Sequence, residues 1–419
     1  MNTTLSVEDI QQSTIQGLYK TSLSILYEDK KHSIYFSSYD IELNITANSI
    51  LPMLLVPALA VAKKLKIPSL SPKLEENSKQ LQSIYTTWYS DLNKVKIESS
   101  ALEITLNEPK KPLTAQKTAC FFSGGVDSFY TLLSLKKDVD AIIYVHGFDV
   151  DINDIKRRKK ISEHLIKISA EFNVQLIEIE TNLRTFSDTL SPWGSHYVSS
   201  ALAAIAHLIS GSFNTVYITT DDSYNMLLPW GNHLLTTPLW SSEELYIKPY
   251  AADKNRYQRT EFISSNKTVQ NYLRVCWKNP NEKINCGQCE KCLRTITALF
   301  LLNRLTSFKL FSQDFSPTLL RQIEMPEFSI NHWKNMLTAS LSSTRNLNLM
   351  IEIENLLNRF YFNQLKSNIP NYKKTTQVIL NDKLLKDYIF NDLFYIDRSW
   401  LFKKIAIKTI ESIKNKLKT

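Results

Sequence analysis

Apolar positions in the first hundred residues recur first with the period of a strand and then with the period of a helix. Between about Ser33 and Thr46, Ile34, Phe36, Ile41, Leu43 and Ile45 alternate with polar neighbours, as on a half-buried strand. Residues 50–66 are largely apolar, and 72–91 carry Leu74, Leu81, Ile84, Tyr85 and Trp88 at helical spacing, so a helical pair is expected, the first member buried. Residues 94–105 read as extended again, and 108–113, Glu-Pro-Lys-Lys-Pro-Leu, read as a linker. From 118 to 302 short apolar runs alternate with helical patterns. Strands are expected at 118–122, 141–145, 175–180 and 215–219, with helices at 128–135, 154–172 and 196–209 between them. That alternation predicts an α/β fold with a parallel, doubly wound sheet. Helical periods return at 346–359 and 400–417. The expected division is an N-terminal α+β domain (1–112), a central domain (113–302) and a C-terminal helical region (303–419).

Composition narrows the class. A chain of 419 residues is long for one domain, and 43% apolar with 22% charged residues describes a globular protein. The formal charge of +9 favours anionic partners such as nucleotides or RNA. The first residues lack a basic stretch followed by an apolar run, and the most apolar stretch, 50–62, contains Pro52 and Pro57 and is shorter than the roughly 20 residues a bilayer needs. No membrane span and a cytoplasmic location are therefore expected. Four of the five cysteines lie between Cys276 and Cys292, which points to metal rather than disulfides. The final stretch from Phe402 has an apolar stripe and six lysines, which suits a helix covering a core edge more than one touching RNA or a membrane.

The strand Ala119-Cys120-Phe121-Phe122 runs into Ser123-Gly124-Gly125-Val126-Asp127-Ser128 and then a helix. Adjacent glycines let the backbone turn with no Cβ in the way, so successive N–H groups can converge on an anion. The helix N-terminus adds partial positive charge, and the Ser123 and Ser128 hydroxyls add donors. No Gly-Lys-Ser or Gly-Lys-Thr ends the loop, which argues against a Walker A site and γ-phosphate transfer. Residues 123–128 resemble the SGGxDS motif of the PP-loop ATP pyrophosphatase superfamily. The resemblance implies a HUP-type sheet and ATP, with Ser123, Gly124, Gly125, Val126, Asp127 and Ser128 around the departing pyrophosphate. Ser123, Asp127 and Ser128 become the catalytic candidates, with Mg2+ expected on Asp127 directly or through water. Adenosine is placed by the end of the second strand, at Val145, His146, Gly147 and Asp149.

Cys276 is followed, after nine residues, by Cys286-Gly-Gln-Cys289-Glu-Lys-Cys292. Four thiolates in this arrangement suit one tetrahedral Zn2+, with Gly287 in the tight turn of a knuckle and Cys292 by the start of a helix over 293–302. An iron–sulfur cluster shares part of the spacing but lacks its usual downstream cysteine and proline here. A PP-loop domain ending in this cluster and then Leu293-Arg294 is similar to the 7-cyano-7-deazaguanine synthase branch over residues 118–302. That resemblance implies zinc on Cys276, Cys286, Cys289 and Cys292 and an AMP-forming ligase that adenylates a carboxylate and then amidates it. Long segments on both sides depart from the ordinary synthase and resemble the branch members outside queuosine synthesis, some of which belong to bacterial antiphage operons. Protein partners from such an operon are implied.

Acceptor recognition falls on Asp222, Tyr224, Trp230 and His233, in the segment after the strand at 215–219. Lys291 and Arg294 can supply the positive charge that the lysine-free loop lacks. The segments Trp193-Gly194-Ser195-His196 and Pro229-Trp230-Gly231-Asn232-His233 place rings, glycine and histidine where open sheets commonly bind ligands. The acceptor class is a carboxylate on a small molecule, peptide or protein. Two other roles remain open: a tRNA-modifying PP-loop enzyme, although nucleic acid is not favoured, and a non-catalytic ATP-sensing subunit.

Overall fold

Strand residues at alternate positions go to opposite faces of a sheet, and in this chain each face carries its own core. A computed structural model describes residues 3–100, 117–278, 283–341 and 346–368. Its strands are β1 (Thr4–Ile15), β2 (Leu18–Tyr27), β3 (Lys30–Ser38), β4 (Lys64–Ile67), β5 (Lys96–Ser99), β6 (Thr118–Phe121), β7 (Ala141–His146), β8 (Gln175–Thr181), β9 (Thr215–Thr219) and β10 (Tyr246–Tyr250). They form one ten-stranded sheet in the order β10-β9-β6-β7-β8-β3-β2-β1-β4-β5. Neighbours from β10 to β8 are parallel, as are β1 with β4 and β4 with β5. Antiparallel pairs join β8 to β3, β3 to β2 and β2 to β1. The architecture is mixed α/β with a mostly parallel sheet.

The longer helices are α1 (Ala47–Val61), α2 (Pro72–Trp88), α3 (Val126–Leu135), α4 (Ile155–Phe172), α5 (Leu183–Ser187), α6 (Val198–Leu208), α7 (Arg256–Ile263), α8 (Lys267–Tyr272), α9 (Glu290–Leu301), α10 (Ile330–Leu341) and α11 (Leu347–Asn368). Ala119, Phe121, Ile143 and Val145 pack into one core with α1, α2 and α6. Cys120, Phe122, Ile142 and Tyr144 face the other way, into a second core with α3, α4 and α7 to α11. Full burial of each such aliphatic or aromatic side chain contributes about 1.5–3 kcal/mol.

α1 is almost wholly buried, as its composition predicts, although Pro52 and Pro57 lie inside it. Pro57 has no N–H for the Met53 carbonyl one turn earlier. The Tyr197 hydroxyl donates to that carbonyl at 2.6 Å, which seats the start of α6 on α1. The first region joins the central strands through β3 and β8, where the Asn182 side chain accepts from Tyr35 N at 2.9 Å and donates to Ser33 O at 2.8 Å.

Several elements differ from the sequence reading. The alternation at 33–46 is a strand only to Ser38. Beyond it Asp40 accepts from Glu178 N at 2.8 Å and Asn44 N donates to Leu208 O at 2.9 Å, so Ile41, Leu43 and Ile45 are buried without a ladder. The first expected helix stops at Val61, and Lys64–Ile67 leaves it to pair with β1. β1, β2, β10, α5, α7, α8 and α10 had no counterpart among the expected elements. The linker 108–113, the boundary at 112/113 and the helix at 400–417 lie outside the described residues. Among those described, no helix is long and apolar enough to cross a membrane.

Candidate phosphate and metal sites

Because β6, β7, β9 and β10 are parallel, the loops after them open on one edge of the sheet. Chain order reverses beside β6, with β7 and β8 on one side and β9 and β10 on the other. Such reversals open the crevices where ligands bind in open sheets. Phe122 N donates to Ile143 O at 2.8 Å, and the backbone then turns through Gly124 at φ 75° into Gly125, the N-cap of α3. The left-handed value at 124 is one that glycine adopts without strain. No side chain caps α3, so its first N–H groups are left for a ligand or water. Val126 is buried in the second core. Ser128 donates to Gly125 O at 3.1 Å, which turns its hydroxyl back onto the helix rather than toward an anion. Ser123 O accepts from Arg274 Nη1 at 3.4 Å, and Arg274 N donates to Gly124 O at 2.8 Å.

Four buried arginines surround this turn. Arg259 is fully buried and satisfied: it donates to Asp127 Oδ1 at 2.9 Å, to the Thr220 and Ala251 carbonyls at 2.8 Å, and to Lys254 O at 2.9 Å. Arg256, 7% exposed, pairs with the other Asp127 oxygen, yet its Nη2 has no partner. Arg274, 6% exposed, leaves Nε and Nη2 unpartnered and lies 3.7 Å from Asp149 Oδ2. Arg294, 4% exposed, lies 3.5 Å from Glu290, with Nε and Nη1 making no hydrogen bond. A buried donor without an acceptor costs about 1–3 kcal/mol, and more when charged, so this wall presents open donors that an anion can satisfy.

The charges act on one another. Burial alone raises the Asp127 carboxyl, but Arg256 and Arg259, aided by Lys291, override it and hold it well below the usual carboxylate range. Burial and the nearby Asp127 charge push Asp221 up. Burial, offset in part by the Leu228 N–H that Asp222 accepts at 3.1 Å, moves Asp222 to about 6. Lys291 falls below its ordinary value through burial and then Arg256. His332, on α10, is driven well down by burial and then by Arg294 and Arg256, so it stands neutral beside the cluster.

Direct ligation of the expected Mg2+ by Asp127 does not fit this arrangement. Both Asp127 oxygens accept from guanidinium groups, Asp149 faces Arg274, and burial and the Asp127 charge raise the Asp221 carboxyl. Magnesium in nucleotide sites keeps several waters and takes one or two carboxylates beside the phosphates, and neither Asp127 oxygen is free of a guanidinium for that role.

The other predicted residues divide. Lys291 and Arg294 join the arginine wall, and Asp222 lies beside it, its carbonyl 3.4 Å from Arg259 Nη2. Tyr224 is 69% exposed, with its backbone N–H on Ala252 O. Trp230 covers Gly194, where a Cβ would stand 2.7 Å from the indole, and its ring lies 5.0 Å from Phe328. His233 packs edge-on against Trp88 of α2 at 4.9 Å, with the N-terminal helices and not with the arginines. At the end of β7, Val145 is buried in the first core, and His146 Nε2 meets Glu178 at 2.8 Å while its Nδ1 has no partner. Gly147, at φ 98°, is required by protein: a Cβ there would stand 1.9 Å from Thr181 O.

The four cysteines come together with every sulfur within 4.8 Å of the others. Cys276 and Cys289 are 3.9 Å apart, and Cys286 and Cys292 are 3.8 Å apart. A tetrahedron with bonds of about 2.3 Å sets its sulfurs about 3.8 Å apart, so the set fits one metal ion such as zinc. Gly287 makes the knuckle turn at φ 74°, and Cys289 N donates to Cys286 Sγ at 3.2 Å. Asn285 ties the two halves of the site: its Oδ1 accepts from Val275 N at 2.8 Å and its Nδ2 donates to Leu273 O at 2.8 Å. Arg274 lies two residues before Cys276, and Lys291 and Arg294 flank Cys292 on α9. The cysteine cluster and the glycine turn are thus one construction.

No protein-family model, curated protein or solved structure matches the chain. Arg256, Arg259, Arg274, Asn285 and His332 had escaped the sequence reading. Arg256 and Arg259 do share a face of a helix behind a capping Asn255, but the acid they serve is more than a hundred residues upstream.

Proposed function

We propose that the chain is a cytoplasmic, AMP-forming enzyme of the PP-loop type, with a HUP-like doubly wound arrangement in residues 117–302. In this reading it adenylates the carboxylate of a small molecule, peptide or protein with ATP, and protein partners come from the same operon. The observation that carries the reading is the glycine turn at the start of α3, set among buried arginines whose N–H groups lack acceptors. Guanidinium forks and backbone N–H groups together match the oxygens of a pyrophosphate.

ATP lies along the reversal point, its β and γ phosphates against Gly124, Gly125 and α3 and its nucleoside toward Val145–Asp149. The acceptor carboxylate attacks the α phosphorus, an acyl–phosphate bond forms, and the α–β bond breaks to release pyrophosphate. Charge grows on the leaving group where fixed donors already stand, and this lowers the barrier. A nitrogen nucleophile then displaces AMP from the acyl adenylate. Asp127 holds Arg256 in place, and neutral His332 borders the acceptor side. Zinc on Cys276, Cys286, Cys289 and Cys292 supplies a structural anchor that keeps Arg274, Lys291 and Arg294 at the turn. The test is incubation of α-labelled and γ-labelled ATP with carboxylate acceptors, followed by separation of products. AMP and pyrophosphate are expected, while ADP with orthophosphate would overturn the reading.

A further inference from the structure

We propose that this site takes its polyphosphate without a divalent cation, the charge being neutralised by Arg256, Arg274 and Arg294 in place of magnesium. The proposal rests on the phosphate-turn reading and goes beyond it by naming the ligand species, a pyrophosphate or triphosphate not complexed to metal.

The arginines come from three separate elements, α7, the segment before Cys276, and α9, and each is more than nine-tenths buried with at least one N–H lacking an acceptor. Arg259 has its acceptors from protein and serves as the fixed support on which Asp127 is held. Three carboxylates at the turn are already engaged, Asp127 between Arg256 and Arg259, Asp149 against Arg274, and Glu290 accepting from Trp333 Nε1 at 2.8 Å with Arg294 3.5 Å away, and the fourth, Asp221, lies in the field of Lys291, Arg256 and Arg259. Lys291 adds further positive charge. A dication entering here would meet guanidinium and ammonium groups from several sides, without a carboxylate free of them. A polyphosphate anion supplies the acceptors that the open N–H groups lack, two per guanidinium fork.

The sign of the magnesium effect distinguishes the possibilities. Magnesium binds pyrophosphate in solution, so a site for the bare anion loses ligand when magnesium is added, whereas a site for the complex gains it. The experiment is calorimetric titration of inorganic pyrophosphate into the zinc-loaded full chain. Buffer is stripped of divalent ions beforehand, and protein-bound zinc is verified by elemental analysis. Binding without magnesium is expected, weakened when magnesium is added. Arg294→Ala should weaken it by roughly tenfold to a hundredfold, the loss of a charged hydrogen-bond donor. If that variant unfolds early in a thermal melt, Arg294→Gln, which keeps length and one amide donor, takes its place with the same expectation. Binding that requires magnesium or tightens with it overturns the proposal and leaves the phosphate-turn reading standing, as does unchanged binding by a folded Arg294 variant. No binding under either condition overturns both.

Discussion

Replacing Gly124 by alanine separates a backbone that merely turns from one that turns to hold an anion. Gly124 sits at φ 75°, and a Cβ there would meet Arg274 Cβ at 3.7 Å, an ordinary contact. The substitution therefore brings no clash, and its penalty is the left-handed backbone alone, about 1–2 kcal/mol for a residue with a Cβ. Gly17, in the turn between β1 and β2, is the matched control: φ is 80° and nothing lies within 4 Å of an added Cβ. Gly124→Ala and Gly17→Ala should lower the denaturant midpoint by similar amounts. Relief of strain at 124 rotates the peptide units whose N–H groups start α3 and disturbs the bond from Arg274 N to Gly124 O. Pyrophosphate affinity, measured by calorimetry, should then fall by roughly tenfold or more in Gly124→Ala, the equivalent of one lost charge-assisted bond, and stay unchanged in Gly17→Ala. Wild-type affinity in a Gly124→Ala protein that shows the strain penalty would refute the role assigned to this turn.

Elemental analysis should find about one zinc per chain, and Cys289→Ser should lose both the metal and the cooperative unfolding transition, since such sites contribute on the order of 10 kcal/mol; a metal-free yet equally stable variant would contradict this. Tyr197→Phe removes the donor to the Met53 carbonyl beside Pro57 and should cost about 1–3 kcal/mol by chemical denaturation; no measurable loss would mean that carbonyl finds another partner. Asp222, raised by burial from 3.8 to about 6, keeps in the native state a proton that the unfolded chain has already lost. Its contribution to stability therefore falls as pH rises through that window, and Asp222→Asn should flatten the slope of melting temperature against pH there, an unchanged slope being the contrary result.

The glycine turn before α3 and the cysteine cluster were legible because each rests on a short run whose geometry follows from residue type: glycines beside a helix start, thiols at metal-ligand spacing. The four strands from β6 to β9 were legible because buried parallel strands are short apolar runs. β1 was not, since its outer half is exposed and breaks the alternation, and β2, whose buried Thr21, Leu23 and Ile25 do alternate, was missed although the pattern was there; β1 takes its register from β2 and β4, and β2 from β1 and β3. β4 was absorbed into the apolar run of α1, and only its parallel pairing with β1 makes Lys64–Ile67 a strand. The arginine wall was invisible for a different reason: Asp127, Arg256, Arg274 and Arg294 are scattered along the chain and are brought together by the fold. His233 misled because a histidine after Trp-Gly-Asn looks like a ligand group, yet its ring packs on Trp88, far away in sequence.

Exchange of label between pyrophosphate and ATP tests the central claim most directly. Adenylation is reversible at the bond that breaks, so in the presence of a competent carboxylate acceptor and absence of the nitrogen nucleophile, labelled pyrophosphate should appear in ATP. That incorporation should fall by roughly tenfold or more in Gly124→Ala and in the folded Arg294 variant. Turnover of ATP to ADP and orthophosphate, with no label passing from pyrophosphate into ATP, would contradict the account.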